Sequence, residues 1–331
     1  MKRRALILGS VTLSLADILP VVTFAAESTN GATNIPAEWA PRLKHLTNDT
    51  TAPTVFFSRD LTAAGLERLY DATGFVASGR TGIKVTLEAP HGPHVDPQLI
   101  APLVKRLNGT LIDCNGFTPP RNRTASHLES ARVNGFTAIA PIDILDAEGD
   151  MELPITGGTF LKAARTGAHL AHYETLIAIT RFKAHHLPRY GGMLKSLSIC
   201  MGSIAGKARI HSLGATDAGY RGAPDDETTQ AMADAVKGVV EYRRGHALYI
   251  GVMDAIDPDD GDPQAQNLGN VGLFASTDPV ALDQAMIDIA YGAAPSAQVA
   301  DRWCREHMTD LTEKAAAIGA GSVNFRLSEV A

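Results

Sequence analysis

Apolar and polar positions along this chain fall into two alternating patterns. Short apolar runs of strand type are followed by stretches in which apolar residues recur three and four apart, the spacing of one helix face. Residues 54–58 read as a strand and 61–72 as a helix. The segment 82–88 alternates with period two, 97–107 carries a helical stripe closed by Asn108-Gly109, and 110–114 is apolar again. Strand, helix, strand in that order is a βαβ unit, which implies parallel neighbours. Strands return at 137–144, 175–181, 247–253 and 271–276, with a helix over 228–242 and another running from the capping pair Asp278-Pro279 to residue 291. Helices over 296–307 and 310–320 and a short strand over 323–327 complete the pattern. It predicts an α/β fold of mostly parallel βαβ layers, two-lobed over 54–331, with a central cleft at strand C-termini.

The first 53 residues depart from this pattern. Lys2-Arg3-Arg4 precedes an apolar run over 5–16, and a run of small residues ends at Ala25-Ala26. An export signal over 1–26 is expected, followed by a polar linker over 27–53. Asp17 and Pro20 cut the apolar run short of the ~20 residues that a membrane span needs, so no permanent span is expected. Arg3-Arg4 matches the core pair of a twin-arginine signal, which gives a periplasmic or extracellular destination.

With 45% apolar and 20% charged residues in 331, the chain can bury a large core, which excludes a disordered protein. Lys and Arg number 30 against 36 Asp and Glu, a net charge of −6 that excludes a basic polyanion binder. No nucleic-acid partner is expected. Cys114, Cys200 and Cys304 stand far apart without a Cys-x-x-Cys pair, whereas two iron–sulfur clusters would take about eight thiolates. No iron–sulfur cluster is expected. Gly202-Ser-Ile-Ala-Gly206-Lys207 resembles a phosphate loop but has Ala208 where a hydroxyl must hold magnesium. The acidic run 257–262 misses the calcium-loop register, and His91 and His94 read as polar loop surface.

Chemistry concentrates in two stretches. Asp113 and Asn115 end a strand, and Arg121, Arg123 and His127 lead into a helix. In open α/β sheets that edge binds ligands. Downstream of the strand 175–181, His185 and His186 precede Gly191-Gly192, which would open a helix and offer backbone N–H groups to an anion, with Lys195 one turn later and His211 further on.

On these residues the chain resembles the domain-of-unknown-function three-six-two family. The matching stretches are Ile83-Lys84-Val85, Asp113-Cys-Asn115, 123–128, Asn134-Gly-Phe136, 182–185, 191–195, 205–207, His211 and 276–283, spread over 54–293 in one order. Many similar members carry a ferredoxin-type insert, and here 213–226 contains no cysteine. The family's Met-Gly-Cys segment is replaced by Cys200-Met-Gly202, with the cysteine shifted. His185, Gly191-Gly192, Lys195 and His211 are also distantly similar to a stretch of the nickel-pincer lactate racemases. That resemblance implies Lys195 tethering or neutralising a cofactor of nickel-pincer nucleotide type, His211 ligating a metal, and His185 with His127 exchanging protons. Lys84, Arg123 and Lys195 would hold a carboxylate or phosphate, Asp113 and Asn115 would belong to the same substrate- or cofactor-binding site, and Gly191-Gly192 would face the ligand; the plain alternative for Asp113 is to cap or orient Asn115.

The expected activity is oxidoreductase or isomerase chemistry on a small anionic substrate, without iron–sulfur clusters. The alternative is a non-enzymatic periplasmic binder of an anion, metal or cofactor.

Overall fold

The computed structural model of the protein describes residues 43–185, 187–254, 269–292 and 308–331. The expected export signal, the linker up to residue 42, His186, the acidic run 257–262, the expected helix over 296–307 and Cys304 lie outside the described residues.

Strand β1 (Thr54–Ser58) leads into α1 (Ala63–Ala72), whose N-cap Thr62 accepts from the Gly65 N–H. Next come β2 (Thr81–Lys84), α2 (Pro97–Arg106), β3 (Thr110–Asp113), α3 (Thr124–Val133) and β4 (Ile142–Ile144). Helix α2 starts where the sequence marks it, with Asp96 capping the Gln98 N–H and Pro97 in the first turn. A hairpin of β5 (Asp150–Pro154) and β6 (Ala163–Gly167) precedes β7 (Thr175–Arg181). A second hairpin, β8 (Lys183–His185) and β9 (Arg189–Gly191), delivers the chain to α4 (Met193–Lys195), which continues as a π-turn over Ser196–Cys200. Then follow α5 (Ile204–His211), α6 (Asp225–Tyr242), β10 (Ala247–Met253), β11 (Gly272–Ser276), α7 (Pro279–Gly292), α8 (Asp310–Ala317) and β12 (Arg326–Glu329).

Eight of the described strands form one sheet in the order β12-β1-β11-β10-β7-β2-β3-β4. Each pair is parallel except those that β11 makes with β1 and β10. Strand β10 and the central residues 176–179 of β7 are unbroken apolar runs because helices cover both faces of a mostly parallel sheet. Their residues alternate between two cores. Ile177, Ile179, Leu248 and Ile250 pack with α1 and α2, whereas Leu176, Ala178, Ala247 and Tyr249 pack with α6 and α7. Each large aliphatic side chain so buried contributes roughly 1.5–3 kcal/mol.

The strand expected over 137–144 is shorter. Phe136–Ala138 forms a 3₁₀ turn in which the Ala138 and Ile139 N–H groups bond back to Gly135 and Phe136, and Pro141 has no N–H to give a ladder. Strand β2 stops at Lys84 instead of continuing to residue 88. The Leu87 N–H turns to the Asp113 carboxylate at 3.0 Å, and Glu88 adopts a left-handed φ of 55°. The described part of the linker packs on the domain, with Leu43 buried and the Thr47 N–H on the Phe325 carbonyl at 2.9 Å. Among the described residues, no helix is long and apolar enough to cross a membrane.

Connections from β2 run outward to β3 and β4, and the chain then returns to β7 and continues the other way to β10. Strands β2 and β7 are neighbours, with Thr81 opposite Thr175 and Lys84 opposite Ala178. Their C-terminal ends are therefore a topological switch point, where the diverging loops leave a crevice.

Candidate active site

A narrow cleft occupies that switch point. Glu88 and His94 reach it from the loop after β2, Arg181 from the end of β7, Lys183 from the start of β8, Gly191 from the end of β9, and Gly192, Lys195, Ser196 and Cys200 from the turn that follows. A larger groove beside Arg209 is more open, and its guanidinium is already matched by Asp217 at 2.7 Å and Glu152 at 3.0 Å. The switch-point cleft is different because its charges do not cancel.

Its one carboxylate, Glu88, lies 3.2 Å from the Lys183 ammonium and 3.6 Å from the Arg121 guanidinium. Burial would raise the Glu88 pKa, but Lys183, Arg121 and Lys195 outweigh it and hold the carboxyl ionised, below its usual range. Burial likewise opposes charge on Lys195, yet the Cys200 sulfur and Glu88 carry its pKa above the ordinary value, against repulsion from Arg121. Arg181 is engaged elsewhere, on the Asp254 carboxylate at 2.6 Å and the Asp254 carbonyl at 2.9 Å. Three cations thus face one carboxylate and the Cys200 sulfur, and the remaining excess of positive charge attracts an anion.

Behind the cleft, Lys84, Asp113 and His127 form a buried row. The Lys84 ammonium is 3.1 Å from Asp113 Oδ1 and donates to the Val85 carbonyl at 2.9 Å. Asp113 also accepts the N–H groups of Leu87 and Cys114. Burial would push Asp113 up, but the Lys84 charge and then His127 hold it far below the carboxylate range. His127 Nε2 stands 3.5 Å from Asp113 Oδ2, a charge contact too long for a good hydrogen bond, and neither ring nitrogen has a hydrogen-bond partner. Asn115 donates its side-chain N–H to Thr124 Oγ1 at 3.1 Å, and its backbone carbonyl accepts from Lys207 at 2.6 Å. The backbone N–H of Asn115, not its side chain, meets a carboxylate, that of Asp146 at 2.8 Å. Arg123 is exposed at the start of α3.

Gly191 and Gly192 line the cleft, but the helix start they open is not vacant for an anion. Asp283 accepts the Met193 N–H at 2.7 Å, the Leu194 N–H at 2.8 Å and the Tyr190 hydroxyl at 2.8 Å. This aspartate is fully buried, and burial outweighs its hydrogen bonds to push its pKa up to about 6. A Cβ on Gly192 would meet Asp283 Oδ1 and Tyr190 Cε2 at 2.6 Å, so glycine is needed there for close packing.

The other expected histidines do not line the cleft. His185 sits half-buried on β8, its Nδ1 accepting the Leu187 N–H at 3.2 Å. The His211 ring packs against Tyr220 at 4.8 Å and Phe117 at 5.9 Å. Among the described residues, Asp143, His169 and His172 form a group able to hold a metal, and none of them lines the cleft. Asp143 there already accepts from His169 Nδ1 at 2.7 Å and from the Tyr173 hydroxyl at 2.8 Å.

Conversely, the sequence reading missed Glu88, His94 and Lys183. His94 Nδ1 contacts the Gly92 carbonyl at 2.6 Å, and a carbonyl can only accept, so Nδ1 carries the proton and Nε2 is left as the basic nitrogen of the neutral ring. The available signal was position, since His94 and Glu88 follow a strand on the sheet's ligand-binding edge.

The sequence profile of a domain of unknown function (DUF362) matches residues 82–288. A comparison with curated proteins finds no match. Among solved structures, the chain is similar to the lactate racemase apoprotein from Thermoanaerobacterium thermosaccharolyticum, with 12% identity and a TM-score of 0.41 over 68% of this chain and 54% of that one. It is also similar to a protein from Thermotoga maritima, with 10% identity and a TM-score of 0.38 over 77% of this chain and 58% of that one. The chain therefore spans little more than half the length of either neighbour.

Proposed function

The chain belongs to the DUF362 family, and from that premise we propose that it is an enzyme that binds a small anion between β2 and β7 and moves a proton on it, as an isomerase does. The observation that carries this reading is the convergence of Lys183, Lys195 and Arg121 on the single carboxylate of Glu88. An anionic substrate would supply the missing negative charge. Lys195 and Arg121 would hold its carboxylate or phosphate, each charge-assisted hydrogen bond contributing about 1.5–3 kcal/mol. His94 is the proton-moving group, because its Nδ1 is committed to the Gly92 carbonyl and the lone pair of the neutral ring is left on Nε2. The same frame would serve an oxidoreductase supplied with an electron carrier, but the fixed histidine tautomer favours proton transfer.

A nickel-bearing group tethered to Lys195 would take His211 as a ligand. Lys195 lines the cleft while His211 packs on Phe117 and Tyr220, so the residues as arranged do not fit such a group, and no step is routed through one. The basic and apolar start of the chain supports export to the periplasm or beyond.

The test is calorimetric titration with phosphate, sulfate and short 2-hydroxy and 2-oxo carboxylates, paired with deuterium uptake from D₂O at the carbon beside the carboxylate. Binding with exchange is expected. Binding without exchange would make the protein a binder, and no binding at millimolar concentrations would remove the anion site.

A further inference from the structure

The turn that follows Lys195 has an unusual wind. Ser196–Cys200 is π-helical, closed by the Met201 N–H on the Ser196 carbonyl at 2.9 Å. The Ser198 hydroxyl helps to hold this turn by donating back to the Leu194 carbonyl at 2.7 Å. In an α-helix of 3.6 residues per turn, positions five apart diverge by about 140°. A π-turn closes on the fifth residue, so it stacks position i+5 over position i. Lys195 and Cys200 are five apart, and both line the cleft. The charge of Lys195 therefore acts on the Cys200 sulfur from one turn before it.

A second observation lies in the same turn. Ser196 is 2% exposed, lines the cleft, and its hydroxyl has no hydrogen-bond partner. A buried hydroxyl without a partner is costly unless something else takes up its hydrogen bond. It therefore marks the place of a polar ligand atom close to Cys200.

We propose that Cys200 is a covalent nucleophile of the cleft, set beside Lys195 by the π-turn, and that it attacks a small electrophile bearing an anionic group, of the α,β-unsaturated carboxylate class. The choice of an anionic electrophile rests on the anion-binding reading above; the nucleophile itself does not. The sulfur electron pair forms an S–C bond at the carbon β to the carboxylate. The alkene π pair moves to the α carbon, which takes a proton from the Lys195 ammonium. A thiolate and an ammonium become a thioether and an amine, with no change in electron count, and the reverse sequence releases the alkene.

The surroundings of Cys200 suit this role. Burial alone would push the thiol pKa up, but Lys195 from α4, Lys84 from β2 and Lys207 from α5 outweigh both burial and the Asp113 carboxylate from β3, and bring it below the ordinary thiol value. Cys114 is the internal contrast. Burial pushes it up to about 12, and its thiol donates to the Met201 carbonyl at 3.2 Å.

The experiment is alkylation of the folded full-length chain with iodoacetate and, separately, iodoacetamide, followed by peptide mapping across a pH series. In each case the sulfur displaces iodide as the S–C bond forms. Cys200 is expected to react with a midpoint below that of a free cysteine, while Cys114 stays unmodified until the protein unfolds. Lys195→Met should slow the reaction at pH 7 at least tenfold and move the midpoint upward. Lys195→Arg should retain the low midpoint, with thermal melts confirming that both variants fold. Cys200 unmodified in the folded protein, or titrating like free cysteine, or indifferent to Lys195→Met, overturns the proposal. A reactive Cys200 with no preference for iodoacetate and no protection by phosphate upholds the nucleophile and removes the anion site instead.

Discussion

The Lys84 ammonium and the Asp113 carboxylate meet at 3.1 Å where both side chains are sealed from solvent. Neither can be removed alone without stranding the other in a medium that solvates it poorly. Lys84→Met should therefore destabilise the fold by about 3–5 kcal/mol in urea denaturation, and adding Asp113→Asn should recover part of that loss. A single-variant loss below about 1 kcal/mol would show that the pair is not coupled in this way.

Asp283 gives stability an unusual pH dependence. Its folded pKa is raised to about 6, whereas an unfolded aspartate titrates near ~3.9. Between those values the native state binds the extra proton, so acidification from pH 7 to about 4 stabilises the fold through this group. Asp113 acts in the opposite sense, because its depressed pKa supplies stability above pH ~4 that is lost as pH falls further. Asp283→Asn should remove the gain between pH 6 and about 4 while leaving the acid collapse in place. Parallel wild-type and variant stability curves over that window would contradict this assignment.

Two adjacent glycines should respond differently to a methyl group. Gly192→Ala drives its Cβ to 2.6 Å from Asp283 Oδ1 and from the Tyr190 ring. It should lower stability by about 1–3 kcal/mol. Gly191→Ala meets only the flexible Lys183 side chain at 3.0 Å and should cost much less. Melting temperatures of the two variants decide the matter.

Lys195→Met should weaken phosphate or carboxylate binding ten- to a hundredfold, equivalent to ~1.4–2.8 kcal/mol, with the fold intact. His94→Gln should leave that affinity within a factor of a few and reduce deuterium exchange by roughly 10²–10⁴-fold. Equal losses of affinity and exchange in His94→Gln would make His94 a ligand-holding group and not the proton carrier.

Strands β7 and β10 were legible to the residue, because a short apolar run rich in β-branched residues and bounded by polar turns has few other readings. The buried pairing of Lys84 with Asp113 was not legible: the sequence offered Lys84 to a ligand, and only the parallel register of β2 and β3 shows that the Asp113 carboxylate takes its charge. The cleft itself was harder to read. Asp283 reaches the start of α4 from about ninety positions later in the chain, and no local pattern reveals that its carboxylate, not a ligand, takes those N–H groups. Glu88 and His94 depend on how the loop after β2 turns, including left-handed backbone at Glu88 and His91. The π-turn leaves the helical apolar pattern almost unchanged, so the juxtaposition of Lys195 and Cys200 is invisible in spacing alone.

The antiparallel β11 has a consequence for how the molecule is made. Strand β1, near the beginning of the described fold, is clasped on one side by β11, Phe57 against Phe274, and on the other by β12, Val55 against Leu327. A ribosome emitting this chain releases β1 long before either neighbour exists. The nascent protein therefore carries an apolar strand with two bare edges until synthesis is nearly complete, a segment that holding chaperones bind and that self-association exploits. Closure of the sheet around β1 is the natural last event of folding, and loss of β12 would return one edge of that strand to solvent.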